Sequence, residues 1–98
     1  MPVAVVLNHH GKGATLDNYF ALLGRLGVPR HGRHPNPDCL FHWAAEVPGG
    51  FRITDVWKSQ TQFEQFYRTT ILPVAEEIGI PQPRQLEFLP VANYLTGS

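Results

Sequence analysis

The sequence predicts an α+β fold of order βαββαβ, folded as one domain spanning residues 1–98. Two segments place apolar residues at helical spacing, and they alternate with short runs rich in β-branched and aromatic residues. A Pro48-Gly49-Gly50 turn joins two of those runs directly. A chain of 98 residues is also the usual size of one domain with one modest core.

Val3 to Leu7 is a β-branched run that reads as a buried first strand, ended by Asn8, His9, His10 and Gly11 as a turn. Gly11-Lys12-Gly13 lacks the further glycine and the Lys-Ser/Thr ending of a phosphate loop, so it reads as a turn only. Thr15 is placed to cap a first helix, with Asp17 in its first turn facing the positive end of the helix dipole. Leu16, Tyr19, Phe20, Leu23 and Leu26 form its apolar stripe, and Gly27 with Pro29 stops it. Residues 27–38 then form a Pro/Gly-rich loop carrying Arg30, His31, Arg33 and His34. It reads as either a solvated connection or a lid over an anionic ligand.

Cys39–Val47 and Phe51–Lys58 read as a hairpin. Ser59-Gln60-Thr61-Gln62 matches a capping box, and Phe63, Phe66, Ile71, Val74 and Ile78 form the apolar stripe of a second helix. Pro73 should kink or split that helix, because proline lacks the N–H that the helical ladder needs. Gly79, Pro81 and Pro83 end it, and Leu86–Val91 is the last strand. This order places two helices on one face of a four-stranded antiparallel sheet, the ferredoxin-like arrangement.

Hydrophobic content of 43% against 16% charged residues is a globular composition. A formal net charge of zero argues against nucleic acid as a partner, since nucleic-acid binders normally present a basic face. The lone Cys39 excludes an internal disulfide and reads as a small core residue. No apolar run approaches the roughly 20 residues that cross a bilayer, and Met1 to Leu7 lacks the basic flank of a signal peptide. The expectation is a cytoplasmic protein with no membrane partner.

Both faces of the predicted hairpin are apolar. Leu40, His42 and Ala44 with Phe51, Ile53, Asp55 and Trp57 fall on one side; Phe41, Trp43, Ala45 and Val47 with Thr54 and Val56 fall on the other. Two helices cover one face only, so a second copy packed through Phe41, Trp43 and Val56 is the expected cover of the other.

His42 and Asp55 are the candidate catalytic pair. A hairpin loop of residues 47–50 puts them directly opposite, and a loop of residues 49 and 50 puts His42 opposite Trp57 with Asp55 diagonal. A carboxylate beside an imidazole fixes its tautomer and favours its protonated form, which suits a general base. Trp57, Tyr19, Asn8 and Phe66 are the candidate substrate-binding residues; a hydrogen-bonded structural pair is the alternative for His42 and Asp55. His9 and His10, adjacent at a strand end, and His31 and His34 show no metal-ligand spacing and read as surface residues, so no metal is expected.

Asp55 through Phe63, DVWKSQTQF, resembles the strand–helix junction of dimeric α/β-barrel proteins, among them antibiotic-biosynthesis-monooxygenase-like and polyketide-cyclase-like small enzymes. Leu40-Phe41-His42 and Pro90 through Leu95 extend the resemblance over most of the chain, toward uncharacterised bacterial members. It implies a homodimer that binds a flat, apolar, aromatic or polyketide-like molecule and catalyses cyclisation, isomerisation or oxygenation by proton transfer. The monooxygenase-like members are expected to carry a His on the second helix where this chain has Phe66, which leaves no axial ligand for haem and implies no cofactor. A non-catalytic dimeric binding or accessory protein is the alternative function.

Overall fold

The computed structural model describes residues 1–97 and has the expected order. Strand β1 (Val3–His10) is followed by helix α1 (Leu16–Leu26), the hairpin β2 (Cys39–Val47) and β3 (Gly50–Trp57), two helical segments α2 (Gln60–Phe66) and α3 (Leu72–Ile78), and strand β4 (Gln85–Pro90). The sheet is antiparallel throughout, in the order β2-β3-β1-β4. No helix of the described residues is long and apolar enough to cross a membrane.

Local chemistry explains the boundaries. Thr15 accepts the Asn18 backbone N–H at 3.1 Å, and Gly27 closes α1 in the left-handed conformation at φ 71°. Ser59 caps α2 through the Gln62 N–H at 3.2 Å, and its hydroxyl also donates to the Gln62 side chain at 2.9 Å. Pro73 does split the second helix. A π-helical turn at Tyr67–Ile71 precedes it, with the Leu72 N–H bonded to the Tyr67 carbonyl, so Pro73 sits in the first turn of α3 where its missing N–H costs nothing.

β1 runs three residues further than Val3–Leu7. Asn8, His9 and His10 pair with Arg52, Phe51 and Gly50, and the turn begins only at Gly11. Asn8 and His9 find side-chain partners there, whereas His10 Nδ1 is buried without one. His9 turns inward, stacks on Phe51 at 4.7 Å and donates its Nδ1–H to the Pro81 carbonyl at 2.9 Å. It is therefore a buried residue, not the surface histidine expected, and burial holds its pKa below the usual value.

The helices cover one face of the sheet. Tyr19, Leu22 and Leu23 of α1 meet Phe51, Ala75 and Ile80, while Phe63 of α2 meets Val3, Val5, Leu7 and Trp57. A bulge at the start of β2 pairs Cys39 with Trp57 and then Phe41 with Val56. Leu40, expected on the His42 face, is thus the unpaired bulge residue, and Cys39 fills the core instead. Burial and the nearby Asp55 charge push the Cys39 thiol up to about 12, which makes it a packing residue.

The outer face is graded along its length. One row across the four strands reads Phe41, Val56, Ala4, Leu89; the next reads Trp43, Thr54, Val6, Glu87; the third reads Ala45, Arg52, Asn8, Gln85. Phe41, Trp43 and Leu89 are 43%, 42% and 48% exposed, whereas Val56 is already buried between its neighbours. The third row is polar: Arg52 donates to Asn8 at 2.7 Å, and Asn8 donates to Gln85 at 3.1 Å.

Gly50 lets β3 lie against β1, since a Cβ there would stand 1.8 Å from the His9 carbonyl oxygen. Gly50→Ala should cost about 1–3 kcal/mol, the usual penalty of overpacking. Gly24→Ala, on an open helical surface, should stabilise by about 0.4–1 kcal/mol. Urea unfolding of the two variants checks both signs. A histidine whose folded pKa is depressed contributes stability that is complete above its unfolded pKa of 6.5 and is lost as pH falls through the folded value. His9→Gln should therefore lose less stability than the parent protein between pH 7.5 and pH 5, measured in the same way.

Candidate functional site

Near the middle of the helix-facing surface lies Asp55, 5% exposed, directly opposite His42 across the hairpin. Val47 pairs with Gly50, so the loop is Pro48-Gly49 and the 42–55 register follows. Gly49 takes φ 79°, and a Pro-Gly pair with that conformation at its second residue fits a type II turn. The turn therefore helps to set which residue faces the carboxylate.

Asp55 accepts two hydrogen bonds, from His42 Nδ1 at 2.5 Å and from the Trp57 indole Nε1–H at 3.0 Å. With Nδ1–H directed at the carboxylate, His42 Nε2 is left as an acceptor. The Tyr19 hydroxyl fills that position at 2.6 Å, and the two rings lie nearly parallel, 6.2 Å apart. Four side chains from α1, β2 and β3 thus form one directional chain, Tyr19 to His42 to Asp55, with Trp57 holding the second carboxylate oxygen. Burial, with the Asp55 charge added, pushes the Tyr19 phenol up to about 12, so its resting form is neutral.

This hydrogen-bonded network lines two neighbouring spaces. Between sheet and helices is a narrow cavity of about 60 Å³, lined by Trp57, Phe63, Phe66 and Tyr67 as well as Tyr19, His42 and Asp55. A cavity of about 150 Å³ is what accommodates a benzene ring, so this one suits water or a small substituent. Along the β2 edge, between α1 and the 27–38 loop and reaching Phe41 and Trp43 of the outer face, lies an open cleft of about 1010 Å³ that shares Tyr19, His42 and His34 with the cavity. That cleft has the dimensions of a ligand site.

Of the residues selected from the sequence, His42, Asp55, Tyr19, Trp57 and Phe66 come together here. Asn8 does not. The period-two alternation of β1 sends it to the outer face, where it bonds Arg52 and Gln85, out of reach of the cavity and the cleft. Trp57 is 1% exposed and offers its N–H to Asp55, so it positions the carboxylate and presents its ring to the narrow cavity alone.

Sequence reasoning missed two relationships. Tyr19, expected to line the substrate site, is the direct partner of His42; a buried tyrosine hydroxyl on an apolar helix stripe must find a polar partner, and that is the available signal. His34 was read as a surface residue. Its ring packs on Phe66 at 5.8 Å, Trp57 at 6.1 Å and His42 at 6.2 Å, and its Nδ1 accepts the Asn36 backbone N–H at 3.0 Å. Burial first, and the neighbouring His42 second, lower its pKa. No group of three His, Cys, Asp or Glu side chains among the described residues is arranged to hold a metal ion.

No protein-family model matches the sequence, and no curated protein matches it. A solved structure from Chloroflexus aurantiacus J-10-fl, described as an antibiotic biosynthesis monooxygenase, superposes with a TM-score of 0.66 at 18% identity, covering 99% of this chain and 100% of that one. At that identity the likeness establishes a shared architecture over the whole chain: the α+β, ferredoxin-like fold that the sequence predicted.

Proposed function

We propose that this protein is a small cofactor-independent enzyme that removes and returns a proton on a flat, apolar, enolisable substrate, in the course of a cyclisation, isomerisation or oxygenation. The observation that carries this reading is the Tyr19–His42–Asp55 chain at the junction of cavity and cleft. The fold shared with a monooxygenase-like protein is compatible with it, although fold alone does not specify chemistry.

The proposed steps follow the order of this hydrogen-bond chain. His42 Nε2 is already bonded to the Tyr19 hydroxyl, so in this proposal the substrate proton reaches His42 by way of Tyr19. As the substrate C–H bond breaks, its proton passes to the Tyr19 oxygen while the phenolic proton moves to His42 Nε2. The electron pair stays on the substrate as an enolate, and Asp55 stabilises the imidazolium. No free phenolate forms, in keeping with the raised Tyr19 pKa. The flat body of the substrate occupies the cleft, and the cavity beyond admits only a small substituent.

The functional unit is proposed to be a homodimer packed through the outer sheet face. Phe41, Trp43 and Leu89 supply the exposed apolar anchors, and the Arg52–Asn8–Gln85 row forms a polar border.

Exchange of the acidic C–H of 2-tetralone with D2O, followed by NMR, tests the chemistry without knowledge of the natural substrate. Wild-type protein should accelerate exchange over buffer, and both His42→Ala and Tyr19→Phe should lower that acceleration by about 10²-fold or more. Asp55→Asn should retain a weaker activity. If His42 and Asp55 are only a structural pair, each variant instead loses about 1–3 kcal/mol of stability with no exchange activity to lose. For assembly, light scattering at micromolar concentration should show a dimer, and Trp43→Asp should give monomer or insoluble protein, because it would bury an unpaired charge. A monomeric parent would contradict the proposed interface.

A further inference from the structure

We infer that the cleft recognises an oxyanion, so that the substrate is an aromatic or other flat acid whose negative group lies under the 27–38 loop. The inference rests on the proposed proton-transfer site and adds to it the charge of the molecule bound there.

The charge distribution around the cleft is uneven. Arg30 and Arg33 stand on its rim, and the one carboxylate among its lining residues is Glu46. The described ion pairs are Arg25 with Glu77, Lys58 with Asp38 and His42 with Asp55, so neither Arg30 nor Arg33 is neutralised by a described carboxylate. In a chain of zero formal net charge this is a local concentration of positive charge beside a ligand-sized space.

Arg30 is also held in place. Its guanidinium carbon lies 3.9 Å over the Phe20 ring, and Phe20 neighbours Tyr19 at 5.4 Å between ring centroids. Stacking uses the face of a guanidinium and leaves the N–H groups at its edge free to grip a carboxylate or phosphate in its own plane. The cation therefore stands within the combined length of those two contacts from the Tyr19 ring. The probe chosen is therefore a fused two-ring molecule carrying its charge at one end.

The loop that carries these arginines is ordered by its own contacts. Val28 N–H returns to the Leu23 carbonyl, the Cys39 and Asp38 N–H groups bond Asn36, and the His34 ring is inserted between His42, Trp57 and Phe66. His34, its pKa lowered by burial, anchors the loop by ring packing and leaves the positive charge to the arginines. Burying an anion's headgroup against two unpaired guanidiniums gives charge-assisted hydrogen bonds that a neutral ligand lacks.

Three probes of similar shape test this by calorimetry on the full chain: 2-naphthoate, 2-naphthyl phosphate and the neutral 2-naphthylmethanol. We expect one or both anions to bind at least ten-fold more tightly than the alcohol, with the preference decaying as salt is raised. The order of the two anions tells carboxylate from phosphate recognition. Arg30→Gln with Arg33→Gln, both exposed positions, should bring the anions down to the alcohol's affinity and leave the alcohol unchanged. Equal binding of all three probes, or an anion preference untouched by the double substitution, overturns the inference. If equal binding is accompanied by shifts of the His42 ring resonances, the proton-transfer site survives and only the oxyanion site falls. If no probe binds, or binding leaves His42 unmoved, both fall.

Discussion

A carboxylate placed in the interior of a small sheet is stable only when its oxygens are fully engaged, because an unpaired buried charge costs several kcal/mol or shifts its protonation. Asp55 meets that demand with Trp57 on one oxygen and His42 on the other. The demand propagates outward. Orienting His42 by Nδ1 leaves Nε2 in need of a donor, and Tyr19 on α1 supplies it. One buried charge thereby ties β2, β3 and α1 together in a single orientation, and the catalytic proposal uses the same bonds that fix the packing.

The backbone supports this arrangement at a distance. Pro48-Gly49 sets the hairpin register, and a shift of one residue would carry His42 to the outer face. Gly50 allows β3 to close on β1, which brings Asp55 opposite Val5 beneath the helices. The π-helical turn before Pro73 reconciles a proline with a continuous helical path, and its residues Tyr67 and Ile71 line the same narrow cavity. Positioning of the site and construction of the core are therefore one problem for this sequence.

Much of this was legible from residue patterns, for identifiable reasons. Alternation along β2 and β3 placed His42, Asp55 and Trp57 on a common face, because a strand's period of two leaves no other choice. Caps at Thr15 and Ser59 and the break at Pro73 followed from local hydrogen-bond accounting. What was not legible depended on tertiary neighbours. Asn8 points outward because β1 continues through His10, and a strand ending at Leu7 hides that phase. The place of His34 is not legible in the sequence because a loop's path is set by what it packs against, here Trp57 and Phe66. Val56 lies on the outer face as expected, but its neighbours on the sheet already bury it, and Leu89, whose place in that row depends on the β1–β4 pairing, is the exposed residue there.

Because the account depends on a directed chain of protons, the most direct measurement is a long-range ¹H–¹⁵N spectrum of the His42 imidazole near pH 7.5, with and without Tyr19→Phe. The account predicts the Nδ1–H tautomer, with Nε2 as a hydrogen-bonded acceptor whose resonance moves toward that of a free imine nitrogen when the Tyr19 hydroxyl is removed. An Nε2–H tautomer, or an Nε2 resonance indifferent to Tyr19→Phe, would contradict it.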